Sequence, residues 1–525
     1  MPFSRLAGII LHPTSLPGGH GVGDMGPMAF EFVDCLARAG IGLWQVLPLG
    51  PTGSSQSPYQ SLSSFAGNPL LISLELLVED ELLRPNDLLS GPANTVEANY
   101  VGAADFKQSR LHLAYKRFER DTADSGLSRE FEEFTDNEAY WLDDFAFFMA
   151  AKFTEDGRPW FAWKDRALSR HDEWTRRETE RLLTRSIRFE KFCQFLFFRQ
   201  WMELKRYAGS HNIRLMGDVP IYCAHDSADV WASREFFQLE PGGSASAMAG
   251  VPPDYFSDTG QLWGNPLYDW DSLEKDNYRW WLKRINATLK MVDQIRIDHF
   301  RGFEAYWAVA QGETTAVNGR WRPGPGQKFF SVLRQSLGDN LPIVAEDLGV
   351  ITPRVDALRQ ANGLPGMKVL HFAFGGGSDL YLPHTYTHNT VCYSATHDND
   401  TSRGWYDAIG PDYAHMTPSV IEAERDRARR YLGCDGSDIA WNLIRLALSS
   451  VADTAIIPMQ DVLNLPNTCR MNRPGLGEGQ WLWRLTREQL TDAPWGSLSD
   501  LVYLYSRQPV KPATDPVLDV VVEDK

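Results

Sequence analysis

The sequence predicts an α/β fold: a (β/α)8 TIM barrel with a large helical insertion and long loops at one mouth, and no separate C-terminal β-domain. Three observations predict it. Short apolar runs recur along most of the chain, helical patterns fill many of the intervals, and ionisable residues sit just past the ends of the runs. Strands buried on both faces of a parallel sheet read as short apolar runs rather than as alternation.

Eight such runs stand out, at residues 8–11, 43–47, 213–216, 294–297, 342–345, 367–372, 390–394 and 454–459. Apolar residues at helical spacing follow the first (29–39) and the fifth (353–360). Eight strands with intervening helices fit a barrel better than a doubly wound sheet. Beyond the runs stand His12, Asp218, Asp298 with His299, Glu346 with Asp347, His397 with Asp398, and Gln460 with Asp461. In a parallel barrel those ends share one face, so residues far apart in sequence converge there.

The interval between the second and third runs is far longer than the rest. Segments 137–153 and 189–207 within it carry apolar and aromatic residues at three- and four-residue steps, for example Phe189, Phe192, Phe195 and Leu196. Residues 74–210 therefore read as a helical subdomain inserted into one catalytic barrel spanning 1–525. Two stretches rich in Gly, Pro and Ser or Asn, 223–268 and 460–479, read as long loops, and 507–525 as a surface tail.

Composition narrows the function. A hydrophobic fraction of 43% with 23% charged residues supports a large core. A net charge of −16 without a basic cluster argues against nucleic acid or an anionic membrane as partner and favours a neutral substrate. The six cysteines lack CxxC spacing, so neither a disulfide framework nor a metal site is expected. No basic-then-apolar leader follows Met1 and no long apolar span occurs, which leads to the expectation of a cytoplasmic protein. Eighteen Trp residues supply core packing and, at some positions, platforms for flat apolar faces.

The chemistry is carried by three strand ends. Cleaving a glycosidic bond with retention needs a carboxylate nucleophile and a carboxylic acid roughly 5 Å apart. In the run ending Arg296-Ile297-Asp298-His299, strand alternation puts Arg296 and Asp298 on one side, where the guanidinium holds the carboxylate ionised. Glu346 ends an apolar strand, a place where burial favours the protonated acid. His397 and Asp398 could bind the sugar hydroxyls whose hydrogen bonds strengthen in an oxocarbenium-like transition state.

Here the chain resembles a known family. Arg296-x-Asp298-His299, Glu346 and His397-Asp398 resemble the signature regions of the α-amylase clan. Ser57-Pro58-Tyr59-Gln60, Gly217-Asp218-Val219-Pro220, Gly250-Val251-Pro252-Pro253-Asp254-Tyr255, Gly260-Gln261-Leu262-Trp263-Gly264 and Arg470-Met471-Asn472-Arg473-Pro474-Gly475 resemble the 4-α-glucanotransferases, or amylomaltases, in particular. The resemblance implies that Asp298 is the nucleophile, Glu346 the acid and then base, and Asp398 the transition-state stabiliser. It implies that Arg296, His299, His397, Asp218 and Tyr59 lie at the cleaved sugar. It further implies that Pro253, Asp254 and Tyr255 cover the donor and acceptor sites and that Trp263 stacks on a glucose unit. α-1,4-Glucans and maltooligosaccharides are the implied substrates, glucose an acceptor, and no cofactor or metal is needed. The chain departs from the pattern after Asp461, where Asn464 stands at an expected Gly and Leu465-Pro466-Asn467 replaces a glycine-rich continuation.

Three competing readings follow from the same residues. A hydrolase would use the same carboxylates with water as acceptor. A non-catalytic glucan-binding protein would be expected to lack one of the acids. Gly21-Val22-Gly23-Asp24-Met25-Gly26 matches the GxGxxG of dinucleotide-binding folds, yet it lies well past the strand, after two prolines, and no acidic residue near 41–47 could hold a ribose.

Overall fold

The computed structural model describes residues 5–53, 55–121, 125–253, 258–376, 379–409, 413 and 416–509. Among the described residues, twelve strands form two sheets: β1 (Leu6–Ile10), β2 (Leu43–Gln45), β3 (Arg214–Pro220), β4 (Ala247–Val251), β5 (Gln261–Pro266), β6 (Gln294–Asp298), β7 (Ala305–Ala310), β8 (Arg320–Pro323), β9 (Ile343–Ala345), β10 (Gly366–Val369), β11 (Thr390–Tyr393) and β12 (Thr454–Pro458). Eight of them close a parallel barrel in the order β1-β12-β11-β10-β9-β6-β3-β2. Each of the eight apolar runs supplies one barrel strand. Their residues are almost wholly buried, as expected of strands covered by side chains inside and helices outside.

The antiparallel sheet β5-β4-β7-β8 corrects the reading of 223–268 as a loop. Its pairing of β4 with β7, Met248 opposite Val309, joins segments far apart in the chain. No local periodicity announces such a partner. Stretch 460–479 is likewise not all loop, since it opens inside a helical turn, Met459–Val462, and contains a 3-10 turn, Asn467–Cys469.

Between β2 and β3 run the helices Leu74–Glu79, Tyr100–Asp121, Gly126–Thr154, Arg166–Ser169 and Glu173–Ser210. Asp172 caps the last of these by accepting from the Thr175 N–H. Its stripe of Phe192, Phe195 and Phe198 packs on Phe131, Phe134 and Trp141 of Gly126–Thr154, with ring centroids 5.5 to 6.2 Å apart. The same helix grips the loop after β2 through two buried amides. Gln194 accepts from the Gly67 N–H at 2.7 Å and donates to the Gly67 carbonyl at 2.9 Å. Gln200 does the same at Ser73, at 2.8 and 3.0 Å. Gly67 has no alternative here, because a Cβ would fall 2.0 Å from the Phe197 ring.

The GxGxxG stretch serves packing. Gly23 lies against the 13–16 turn, where a Cβ would meet the Pro13 carbonyl oxygen at 2.2 Å. Asp24 accepts from the Lys107 ammonium at 2.7 Å, and Lys107 also donates to the carbonyls of Leu70 and Ile72 at 2.7 and 2.9 Å. Burial pushes the Asp24 carboxyl up despite the partner, so this acid depends on Lys107 to stay charged. Lys107→Ala is expected to cost about 3–5 kcal/mol by stranding a buried carboxylate. Chemical denaturation at neutral pH measures it, and a loss of about 1 kcal/mol or less, the worth of a surface pair, would contradict it.

Near the last described residues, Arg507 is fully buried and donates to the carbonyls of Leu448, Leu6, Asp453, Ser450 and Ala452. A surface tail cannot begin there, because five guanidinium donors are spent on closing β1 against the β12 side of the barrel. Residues 510–525 of the expected tail lie outside the described residues.

Candidate active site

β3 and β6 pair with Asp218 opposite Arg296 and Pro220 opposite Asp298, and β6 pairs with β9 with Ile297 opposite Ala345. Asp298 and Glu346, each one residue on, therefore leave adjacent strands side by side. Backbone bonds keep them so, with the Glu346 N–H donating to the Ile297 carbonyl at 3.0 Å and the Phe300 N–H to the Glu346 carbonyl at 3.2 Å.

Arg296 is buried inside the barrel and binds two carboxylates, Asp218 Oδ2 at 2.6 Å and Asp298 Oδ1 at 2.7 Å. Strand alternation is the cause of the second contact, because residues two apart face one side. Tyr59, from the loop held by the long helix, donates its hydroxyl to Asp218 Oδ2 at 2.8 Å. Its oxygen lies 2.8 Å from His397 Nε2. With the phenol proton committed to Asp218, that contact requires His397 to carry its proton on Nε2. Burial pushes the His397 imidazole down, so the ring is neutral, and burial with the adjacent Asp218 keeps Tyr59 a phenol.

The three acids differ in their surroundings. Asp298 is about a third open, 31% of its side chain, while Arg296 beneath it is 4% exposed. Burial, with the nearby Asp218, Glu346 and Asp398, raises Asp298, and Arg296 opposes this. Burial also raises Glu346, against Arg296 and two backbone donors: the His299 N–H on Oε2 and the Leu348 N–H on Oε1, both at 2.8 Å. The two acids stand on paired neighbouring strands and both carboxyls are raised by burial, Asp298 to about 7. The Arg296 guanidinium, bonded to Asp298, opposes that rise and favours the negative charge on Asp298. Asp398, from the turn after β11, lies with Oδ2 3.3 Å from His397 Nε2.

His299 is held in the left-handed region at φ 55°, a conformation costing a non-glycine residue about 1–3 kcal/mol. That twist aims its N–H at Glu346. Burial pushes its imidazole down to about 3, leaving a neutral ring. Trp263 on β5 meets that ring edge-on, centroids 4.9 Å apart, so the small sheet reaches the barrel mouth beside Asp298. Pro253 is exposed at the end of β4, whereas Asp254 and Tyr255 lie outside the described residues.

The structure thus brings Tyr59, Asp218, Arg296, Asp298, His299, Glu346, His397, Asp398 and Trp263 to one mouth of the barrel. It adds residues that sequence reasoning left out. Asn472 Nδ2 donates to Asp398 Oδ1 at 2.6 Å, Arg470 Nη2 donates to the Asp398 carbonyl at 2.6 Å, and the Trp481 ring lies 5.9 Å from Tyr59 and 6.0 Å from His397. The signal for Arg470 and Asn472 was the Arg470-Met471-Asn472 stretch, which carries no acid; Trp481 had none. Asn464, at an expected glycine, has φ 51°, a value that Asn tolerates better than other side chains, so the turn keeps a glycine-like backbone. Among the described residues, no three His, Cys, Asp or Glu side chains are grouped so as to hold a metal ion.

An acid bonded to an arginine beside a second acid whose carboxyl burial raises, with a third carboxylate at the same mouth, suits displacement at a sugar acetal carbon. Comparison with known proteins agrees with that chemistry. Residues 11–491 match the profile of the family described as 4-alpha-glucanotransferase. The chain is 49% identical over 509 residues to a 4-alpha-glucanotransferase of Synechocystis sp., covering 96% of this chain and 98% of that one. It is 45% identical over 500 residues to a 4-alpha-glucanotransferase of Thermus thermophilus, covering 94% and 97%. The solved amylomaltase of Streptococcus agalactiae, in complex with acarbose, superposes with a TM-score of 0.90 at 36% identity, covering 96% of this chain and all of that one.

Proposed function

The chain belongs to the 4-alpha-glucanotransferase family, and on that footing we propose that it moves a segment of an α-1,4-glucan to the 4-hydroxyl of glucose or a maltooligosaccharide by a retaining double displacement. Asp298 is the nucleophile, Glu346 the acid and then base, and Asp398 the group that stabilises the transition state. The observation that carries this reading is Arg296 bound to Asp298 while Glu346 sits one strand over with a raised carboxyl.

In the first step Asp298 attacks C1 as the C1–O4 bond breaks, and Glu346 gives its proton to the departing oxygen. The departing chain leaves with a free 4-hydroxyl, and a glycosyl ester remains on Asp298. In the second step Glu346, now a carboxylate, takes the proton of an acceptor 4-hydroxyl, whose oxygen attacks C1 and frees Asp298. Two inversions give retention.

Tyr59, Asp218, Arg296, His299 and His397 line the cleaved sugar in this reading, and Trp263 stacks on a neighbouring unit. Pro253, just past β4, is read as lying by the donor and acceptor sites. Residues 74–210 form a subdomain inserted into a single catalytic barrel, and its grip on the Tyr59 loop supports that division. The protein is read as cytoplasmic, which suits six thiols that are all free.

Transfer and hydrolysis share the first step and part at the second. Maltotriose is expected to yield glucose and longer maltooligosaccharides with little net gain in reducing ends. Reducing ends that rise in step with bond cleavage would replace transferase by hydrolase.

A further inference from the structure

Asp398 is short, 39% exposed at its side chain, and free to rotate about two dihedrals unless something holds each oxygen. His397 stands on one side, 3.3 Å from Oδ2. On the other, Asn472 Nδ2 donates to Oδ1 at 2.6 Å. We propose that Asn472 is a positioning residue of the transfer reaction, fixing the plane of the Asp398 carboxylate through Oδ1 so that Oδ2 and the remaining lone pairs meet the sugar. The proposal rests on the reading of Asp398 as transition-state stabiliser.

The segment that presents Asn472 is built to hold it still. The Asn472 N–H donates to the His397 carbonyl at 3.1 Å, and Arg470 donates both to the Asp398 carbonyl at 2.6 Å and to the Asn472 carbonyl at 2.7 Å. Main chain and side chain of the His397–Asp398 turn are therefore tied to one short stretch. Asn467 extends the tie. Its Nδ2 donates to Asp400 Oδ2 at 2.6 Å, and its Oδ1 accepts from Arg473 Nη2 at 2.7 Å. This is a residue at which the chain leaves the family-like pattern, and its amide bridges the turn carrying Asp398 to the segment carrying Asn472. Since a misplacement of about 1 Å can cost on the order of 100-fold in rate, the tether matters for turnover more than for ground-state affinity.

The test uses the intact enzyme and maltotriose. Asn472→Ala is expected to lower kcat on the order of 10- to 100-fold with KM changed by no more than about threefold. Asn472→Asp keeps the shape and sets a carboxyl against Asp398. Like charges sharing a site retain a proton to higher pH, so the acidic limb of kcat/KM should move to higher pH relative to the parent enzyme. In an Asp398→Asn background, Asn472→Ala should cost nothing further, because the carboxylate it positions is gone. Independent, multiplying losses in that background, or an unmoved acidic limb in Asn472→Asp, would overturn the proposal. A near-parental Asn472→Ala beside a crippled Asp398→Asn would overturn it alone, whereas a near-parental Asp398→Asn would remove the role of Asp398 and the proposal with it.

Discussion

Asp298→Asn is expected to lower maltotriose turnover on the order of 10⁴- to 10⁶-fold, the scale seen when a covalent nucleophile is removed. The amide keeps the shape of the carboxylate and can still accept from Arg296 through its carbonyl, so KM and the fold should survive. What is lost is the charge that attacks C1. Arg296 keeps Asp218 as a buried partner at 2.6 Å, which leaves the guanidinium compensated. The parent enzyme, given a 2-fluoro-substituted maltosyl fluoride, should gain the mass of the glycosyl group on the peptide that contains Asp298, and the variant should gain none. Labelling of another carboxylate, or a variant with near-normal turnover, would remove Asp298 from the reaction.

Glu346→Gln is expected to lose on the order of 10²- to 10⁴-fold on maltotriose, the usual worth of general acid catalysis. The loss should be selective. Fluoride departs without a proton, so α-maltosyl fluoride should still glycosylate the variant, and the ester should accumulate because no base remains to activate the acceptor. The pH dependence follows from the direction of the shift. Burial raises Glu346 above the ordinary carboxylate range, so the acid persists to higher pH and is lost as pH rises through the raised value. That loss is expected as the alkaline limb of the parent profile and should be absent from the glycosylation step of the variant. Stability falls in the same direction. Between the ordinary and the raised value the folded state holds a proton that the unfolded chain has released, so stability falls as pH rises through that window. The amide removes this pH dependence, but its NH2 replaces one of the two oxygens that accept the His299 and Leu348 N–H groups, so the variant should lose about 1–3 kcal/mol of stability while its melting varies less with pH than the parent's. Full activity on maltotriose, or equal losses on both donors, would count against Glu346 as the acid.

All eight barrel strands were legible because burial on both faces leaves little but apolar side chains, while the exit of six of them to a wet mouth leaves a polar one. Arg296 and Asp298 could be paired on paper, since a period of two is a local rule. The antiparallel sheet was not legible. Its strands are short, rich in Gly and Pro at their edges, and partnered across residues 252–304, so neither composition nor period marks them. Asn472 and Trp481 escaped for a related reason: neither is an acid, and what matters about them is a neighbour some 70 or more residues away in the chain.

Taken alone, the chain determined which residues would stand at strand ends and which of them carry charge, because hydrophobic burial and strand alternation act between near neighbours in sequence. Only the closed barrel decided that β6 lies between β3 and β9, and hence that one guanidinium serves Asp218 and Asp298 while Glu346 stands alongside. Proton sharing and hydrogen bonding fall off within a few ångströms, so they depend on separation in space, which the order of residues along a chain does not contain.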